Sequence, residues 1–200
     1  MLSALPQFEA NLLRVRKLGT LADVVTTATK SVVDVSDIFR SQIVLVVSAL
    51  DFYIHEIVRL GMIEIAKGSR AKCAAYLRFP ITLSVAESAL GGTSHENWMG
   101  DAVRERHSWI SFQDPDKVAD ACRLVSDAKL WEEIGRELGL SASDAKATLK
   151  IIVDRRNKIA HEADIDPTNP AFRWPISRGQ ANDAIDFIEH AVRAINKILI

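Results

Sequence analysis

Apolar residues recur every three or four positions along most of the chain, and no stretch alternates strictly between apolar and polar residues. The first spacing belongs to α-helices and the second to strands, so the pattern predicts an all-α protein. Two short helices are expected near residues 6–18 and 20–30. A long one follows from Ser36, a residue suited to capping, to about Lys67, where Gly68 and Ser69 end it. The Phe79–Pro80 step reads as a turn. Residues 82–90 read as a short helix closed by Gly91 and Gly92, and Ser94 or His95 starts another that runs to about Ser111. Asp114–Pro115 places a capping side chain before a proline suited to a first helical turn, opening a helix to about Ser126. Residues 128–138 form the next, ended by Gly139. Ser141 or Ser143 caps a helix reaching to near Asp164. Three prolines mark 166–175 as a loop, and Ser177 opens a final helix. No repeat or linker interrupts the pattern, which therefore describes one helical bundle with four main helices and shorter ones between about 70 and 140.

Composition narrows the function. The chain has 200 residues, 48% of them hydrophobic, which is ample for a core and excludes wholesale disorder. Its 25 Lys and Arg nearly balance 26 Asp and Glu, giving a net charge of −1. Nucleic acid held by bulk positive charge is thereby excluded, and any such contact must be local. Cys73 and Cys122 are too few and too far apart for a disulfide framework or a zinc ribbon, and read as buried thiols. The most apolar stretch, Ile43 to Ile65, carries Asp51, His55, Glu56, Arg59 and Glu64, so no membrane span is expected. The N-terminus lacks the basic start of a signal peptide, and a cytoplasmic protein is expected. No phosphate-binding glycine loop, G-x-S-x-G or H-E-x-x-H pattern occurs, so no cofactor and no metal are expected.

The helix ending near Asp164 contains an anomaly. With about 100° per residue, Ala145, Leu149, Ile152, Val153, Ile159, Ala160 and Ala163 all fall within about 60° of Arg156. A cation in the middle of an apolar stripe is costly without a partner. A buried ion pair or a contact between subunits would explain it. Asp154, Asn157 and His161 share a neighbouring face, with His161 turned about 140° from Arg156. The long helix from Ser36 carries a matching oddity: a narrow polar stripe of Ser48, Asp51, His55 and Arg59 on an otherwise apolar surface. The stripe is either a solvent-facing seam with local pairing or the face opposite Arg156 and His161. In the second case Asp51 is the charge partner that Arg156 needs.

Arg156, Asn157 and His161 within RRNKIAHEAD (155–164) resemble the R-x4-6-H signature of HEPN domains, including the polar residue directly after the arginine. The segments SALDFYIHEIVRLG, SFQDPDKVADACRL, VDRRNKIAHEADIDP and RWPI resemble one bacterial subgroup, the RiboL-PSP-HEPN proteins. The resemblance covers most of the chain from about residue 36 to 200 and leaves residues 1–35 as an extension of unknown role. It implies a HEPN-like bundle and a metal-independent endoribonuclease whose site is completed in a homodimer. It also implies a place as a toxin or phage-defence effector, with RNA and an antitoxin or defence protein as partners.

The residue types suit that chemistry. Cleavage by the 2′-hydroxyl needs a group that exchanges a proton near neutral pH, which histidine does. It also needs cationic donors on the phosphorane oxygens, which a guanidinium supplies as a planar fork. His161 is thus the expected general acid or base, Arg156 the phosphate clamp and Asn157 the orienting residue. Asp51, His55 and Asp154 are supporting candidates, and Arg155, Lys158 and Trp174 are candidates for RNA contact. Two rival readings remain: a catalytically silent HEPN module that binds RNA or a regulatory partner protein, and a structural helical dimer with Arg156 as an interface ion.

Overall fold

The computed structural model describes residues 1–92 and 98–200. Among them run α1 (Ala4–Ala28), α2 (Ser36–Ala66), a 3-10 turn (Tyr76–Arg78), α3 (Leu83–Leu90), α4 (Trp98–His107), α5 (Pro115–Arg123), α6 (Leu130–Leu138), α7 (Ala142–His161) and α8 (Arg178–Leu199). The all-α class expected from the periodicity is what forms, with α1, α2, α7 and α8 as the long members. The expected helix start at Ser94 or His95 lies outside the described residues.

The two N-terminal helices are one. Gly19, which lies between the two expected helices, faces inward, where a Cβ would come within 3.0 Å of Gln42 Nε2. Gln42 in turn donates to the Val15 carbonyl at 2.9 Å. The glycine costs helix stability, about 1 kcal/mol relative to alanine, but lets α1 and α2 approach closely. Ser36 is the first helical residue rather than the cap. Val35 holds the cap position, and Asp34 accepts from both the Ser36 amide (2.8 Å) and its hydroxyl (2.9 Å). Helix α4 ends at His107 and α5 at Arg123, each a few residues before the expected ends.

The other caps behave as their residue types dictate. Asp114 accepts from the amides of Asp116 and Lys117, with Pro115 in the first turn. Gly139 takes a left-handed φ of 68° to end α6. Ser141 accepts from the Asp144 amide, and Ser177 and Gln180 form a reciprocal capping box at the start of α8.

Helix α2 is the spine of the bundle and packs against α1, α4, α5, α7 and α8. Leu50, Tyr53, Ile54, Ile57, Val58 and Met62 are fully buried along it. Phe8 of α1 meets Tyr53 edge-on, with ring centroids 5.8 Å apart. No helix among the described residues is long and apolar enough to cross a membrane.

The α6–α7 corner is tight. A Cβ on Gly135 would lie 2.7 Å from the Leu140 carbonyl oxygen and 3.1 Å from the Ala142 nitrogen. Both are backbone atoms, so neither can swing away. Gly135→Ala is therefore expected to lower stability by about 1–3 kcal/mol despite alanine's better helix propensity. A thermal melt should show the midpoint falling by several degrees.

Candidate functional site

Helix α7 carries the motif at the point where its apolar stripe leaves the core. Ala145, Leu149, Ile152 and Val153 are buried, Arg156 and Ile159 are half-buried, and Ala160 is exposed. Arg156 is thus at the rim of the core and not within it. Its Nη1 donates to Asn157 Oδ1 at 2.9 Å, while its Nε is buried without a hydrogen-bond partner. His161 is the last residue of α7 and is exposed, as are Asp154 and Lys158. The five residues from Arg156 to His161 advance the helix by about 7.5 Å.

Asp51 is not the partner of Arg156. Its carboxylate accepts from the Phe112 amide at 2.6 Å and from Gln113 Nε2 at 3.1 Å, tying α2 to the loop before α5. A helix that packs on five neighbours has polar residues facing several of them, and the wheel does not say which. His55 also serves this corner. Its Nε2 lies 3.1 Å from the Ile110 carbonyl and 3.7 Å from Asp51 Oδ1, and its ring packs 4.6 Å from Phe112. Beneath it His107 is buried among His55, Phe79 and Phe112. Burial, with lesser repulsion from His55 and Arg106, lowers the His107 pKa to about 4.

The carboxylate that does bind arginine here is Asp164, which is fully buried. Its Oδ2 accepts from Arg40 Nε at 2.7 Å and from Arg155 Nη2 at 2.8 Å. Arg40 also reaches the Trp174 carbonyl at 2.8 Å, and Arg155 reaches those of Trp174 and Pro175, each at 3.2 Å. Arg155 therefore holds the loop after α7, a structural duty in place of the flanking phosphate contact expected of it. Ala163 and Asp164 both take left-handed backbone conformations (φ of 52° and 59°), which reverse the chain. The Asp164 amide donates to the Lys158 carbonyl and its own carbonyl accepts from the Trp174 amide. Trp174 is half-buried, and Lys158 Nζ lies over its ring, 5.4 Å from the centroid, covering one stacking face.

Sequence reasoning missed Arg40 and Asp164. Arg40 aligns on the α2 wheel with Val47, Ile54 and Val58, so the test applied to Arg156 would have found it. Asp164 lies just beyond the helix, where periodicity carries no information.

With this geometry in place, a family comparison decides the class: the RiboL-PSP-HEPN family matches residues 9–200. The chain belongs to that family. The match begins inside α1, so most of the first helix falls within the RiboL-PSP-HEPN region. No curated protein and no solved structure gives a significant match. Among the described residues no group of three or more His, Cys, Asp or Glu side chains is placed to hold a metal ion. Cys73 and Cys122 are both buried free thiols, and burial pushes Cys122 up to about 12.

Two outcomes are expected of this RiboL-PSP-HEPN domain. Asp164→Ala strands two guanidiniums beside the core and should cost about 3–5 kcal/mol, read as a lower urea midpoint, whereas Asp154→Ala at an exposed position should change little. His107 has a folded pKa below its ordinary 6.5, so the unfolded chain binds the extra proton. Its contribution is complete above about pH 6.5 and is lost as pH falls toward 4. The difference in urea midpoint between pH 7 and pH 5 should shrink in His107→Phe.

Proposed function

We propose that this protein is a metal-independent HEPN endoribonuclease of the cytoplasm, acting as a homodimer in toxin–antitoxin or phage-defence chemistry. One observation carries the reading. Of two adjacent arginines at the end of α7, Arg155 is paired with a carboxylate and Arg156 has none among the described residues. A half-buried guanidinium with no ion partner, held by a neighbouring amide and followed by an exposed imidazole, is suited to an external anion. The phosphodiester of RNA supplies one.

In this reading Asn157 orients the Arg156 fork through Nη1, leaving the outer N–H groups for the nonbridging phosphate oxygens. As charge grows on the phosphorane, those bonds strengthen, and that difference accelerates the reaction. His161 takes the proton from the 2′-hydroxyl, and a second His161 delivers one to the departing 5′-oxygen. The products carry a 2′,3′-cyclic phosphate and a 5′-hydroxyl. A second copy is supported by the groove of about 450 Å³ beside the motif, where Val44, Leu45, Ile159 and Ala163 lie next to Arg40 and Asp164. Leu45 is 46% exposed there, a large apolar side chain facing solvent next to the site. In this reading Lys158 meets a flanking phosphate.

The test is incubation of purified protein with total RNA in EDTA. Wild type should cleave and leave cyclic phosphate ends. His161→Ala and Arg156→Ala should each lose at least about 100-fold in rate, with the fold intact by circular dichroism. Growth arrest on expression should follow the same pattern. RNA binding without cleavage in the wild type, unchanged by His161→Ala, would instead identify a silent RNA-binding module. Chelation that stops cleavage would remove the metal-free mechanism.

A further inference from the structure

A second cleft, of about 510 Å³, opens between the N-terminus of α1, the middle of α2 and α4. Its size falls within the range of small-ligand sites, about 300–1,000 Å³. Phe52 forms one wall. It is 47% exposed and pairs with no other aromatic ring among the described residues. Arg59 lines the cleft with its charge held by Glu56 on the same helix. Arg104 of α4 also lines it and is mostly exposed, its Nη1 3.7 Å from Asp101. Gly100 brings α4 close against this wall, since a Cβ there would meet Ile63 Cδ1 at 2.9 Å and Arg59 Nη1 at 3.2 Å.

His55 contributes a directional group. A carbonyl oxygen only accepts, so the contact to Ile110 fixes the hydrogen on Nε2 and leaves the lone pair of the neutral ring on Nδ1. The ring is half-buried and lines the cleft. Buried His107 packs beneath it, so this wall is stiff.

The cleft is connected to the motif by one face of α2. Ser41, Leu45, Ser48, Phe52, His55 and Arg59 follow alternating spacings of four and three, so they form a single stripe along the helix. Leu45 borders the groove beside Ile159 and Ala163, and Phe52 borders the cleft. The seven residues between them span about 10.5 Å, a length of about three stacked nucleotides at 3.4 Å each.

We propose that the cleft is a base-binding subsite for single-stranded RNA running along α2 from the Arg156–His161 motif. Phe52 stacks one base, His55 Nδ1 accepts a hydrogen bond from that base's edge, and Arg104 holds the adjoining phosphate. A ring, an acceptor and a cation in one open cleft match the three parts of a nucleotide. The subsite deepens the ribonuclease reading and rests on it for what happens at the far end of the stripe, but binding can be tested apart from cleavage.

The test is fluorescence anisotropy with a fluorescein-labelled, mixed-sequence, single-stranded oligoribonucleotide, in a His161→Ala background so that the RNA stays whole. Phe52→Ala should weaken binding about fivefold or more, the loss expected for one stacked base. Phe52→Trp should restore it. Arg104→Ala should weaken binding and reduce the salt slope by about one. Phe52 and Arg104 lie at the surface, so unchanged thermal melts are expected. Unaltered binding in Phe52→Ala overturns the subsite, and so does the absence of any RNA binding by the parent. Sedimentation of each variant adds one further outcome: if Phe52→Ala dissociates the dimer, the binding loss belongs to assembly and the subsite is overturned. If the parent binds and responds as stated while wild type cleaves no RNA, the nuclease reading fails and the subsite stands. If wild type cleaves and Phe52→Ala leaves KM unchanged, the subsite fails and the nuclease reading stands.

Discussion

The carboxylate of Asp164, held between Arg40 and Arg155, is the constraint on which the motif region depends. It joins three parts of the chain, the first turns of α2, the last turns of α7 and the loop that leads to α8, where Arg173 adds a second link to Asp37 of α2. It helps offset the left-handed backbone of Ala163 and Asp164, which costs roughly 1–2 kcal/mol per residue, together with the backbone bonds from the Asp164 and Trp174 amides. That reversal matters because His161 lies two residues before it. The end of α7 is where a helix ordinarily frays. Here the Asp164 amide caps the Lys158 carbonyl, and the side chain pins the whole turn to α2. The imidazole therefore projects from a helix end with a fixed position, although the residue itself is exposed.

The same interaction separates two arginines that are adjacent in sequence. On a helix, neighbours point about 100° apart, so Arg155 and Arg156 cannot share a partner. Arg155 points to the buried carboxylate and the loop carbonyls, and burial lowers its pKa while Asp164 opposes that effect. Arg156 points to the rim, where among the described residues Asn157 accepts its hydrogen bond. The buried carboxylate takes Arg40 and Arg155 on Oδ2, and Arg156 pairs with no carboxylate among the described residues. Two residues of one type thus have different partners, and the difference is set by helix phase.

Much of the fold was legible because helix caps and breaks are local. Asp114–Pro115, Gly139, Ser141 and Ser177 act through atoms within three residues, and each works as its residue type dictates. Gly19 misled because its reason for being glycine lies on another helix, in Gln42. The site shows the same boundary. Arg156, Asn157 and His161 were singled out as candidates through spacing on one helix and a family resemblance. Asp51 was given the wrong partner because choosing among the faces of α2 requires knowing which neighbour packs on each. Arg40 and Asp164 were missed because they meet across 124 residues of chain. Helical phase tells which side a residue faces, and only packing tells what it faces.

Net charge limits how such a domain can hold RNA. At −1 there is no long-range attraction for a polyanion to add to contact energy. Most of the arginines confirm the point, since Arg16, Arg40, Arg59, Arg123, Arg136, Arg173, Arg178 and Arg193 are all paired with carboxylates of the chain. A phosphate approaching most of this surface meets a cation already neutralised. Affinity must then come from the few places where a donor or an aromatic face is left over. Arg156 at the end of α7 is one candidate, and the half-exposed ring of Phe52 on α2 is another. Base stacking does not depend on net charge, so a near-neutral domain with few uncancelled cations has a physical reason, under the proposed function, to hold a base by its face.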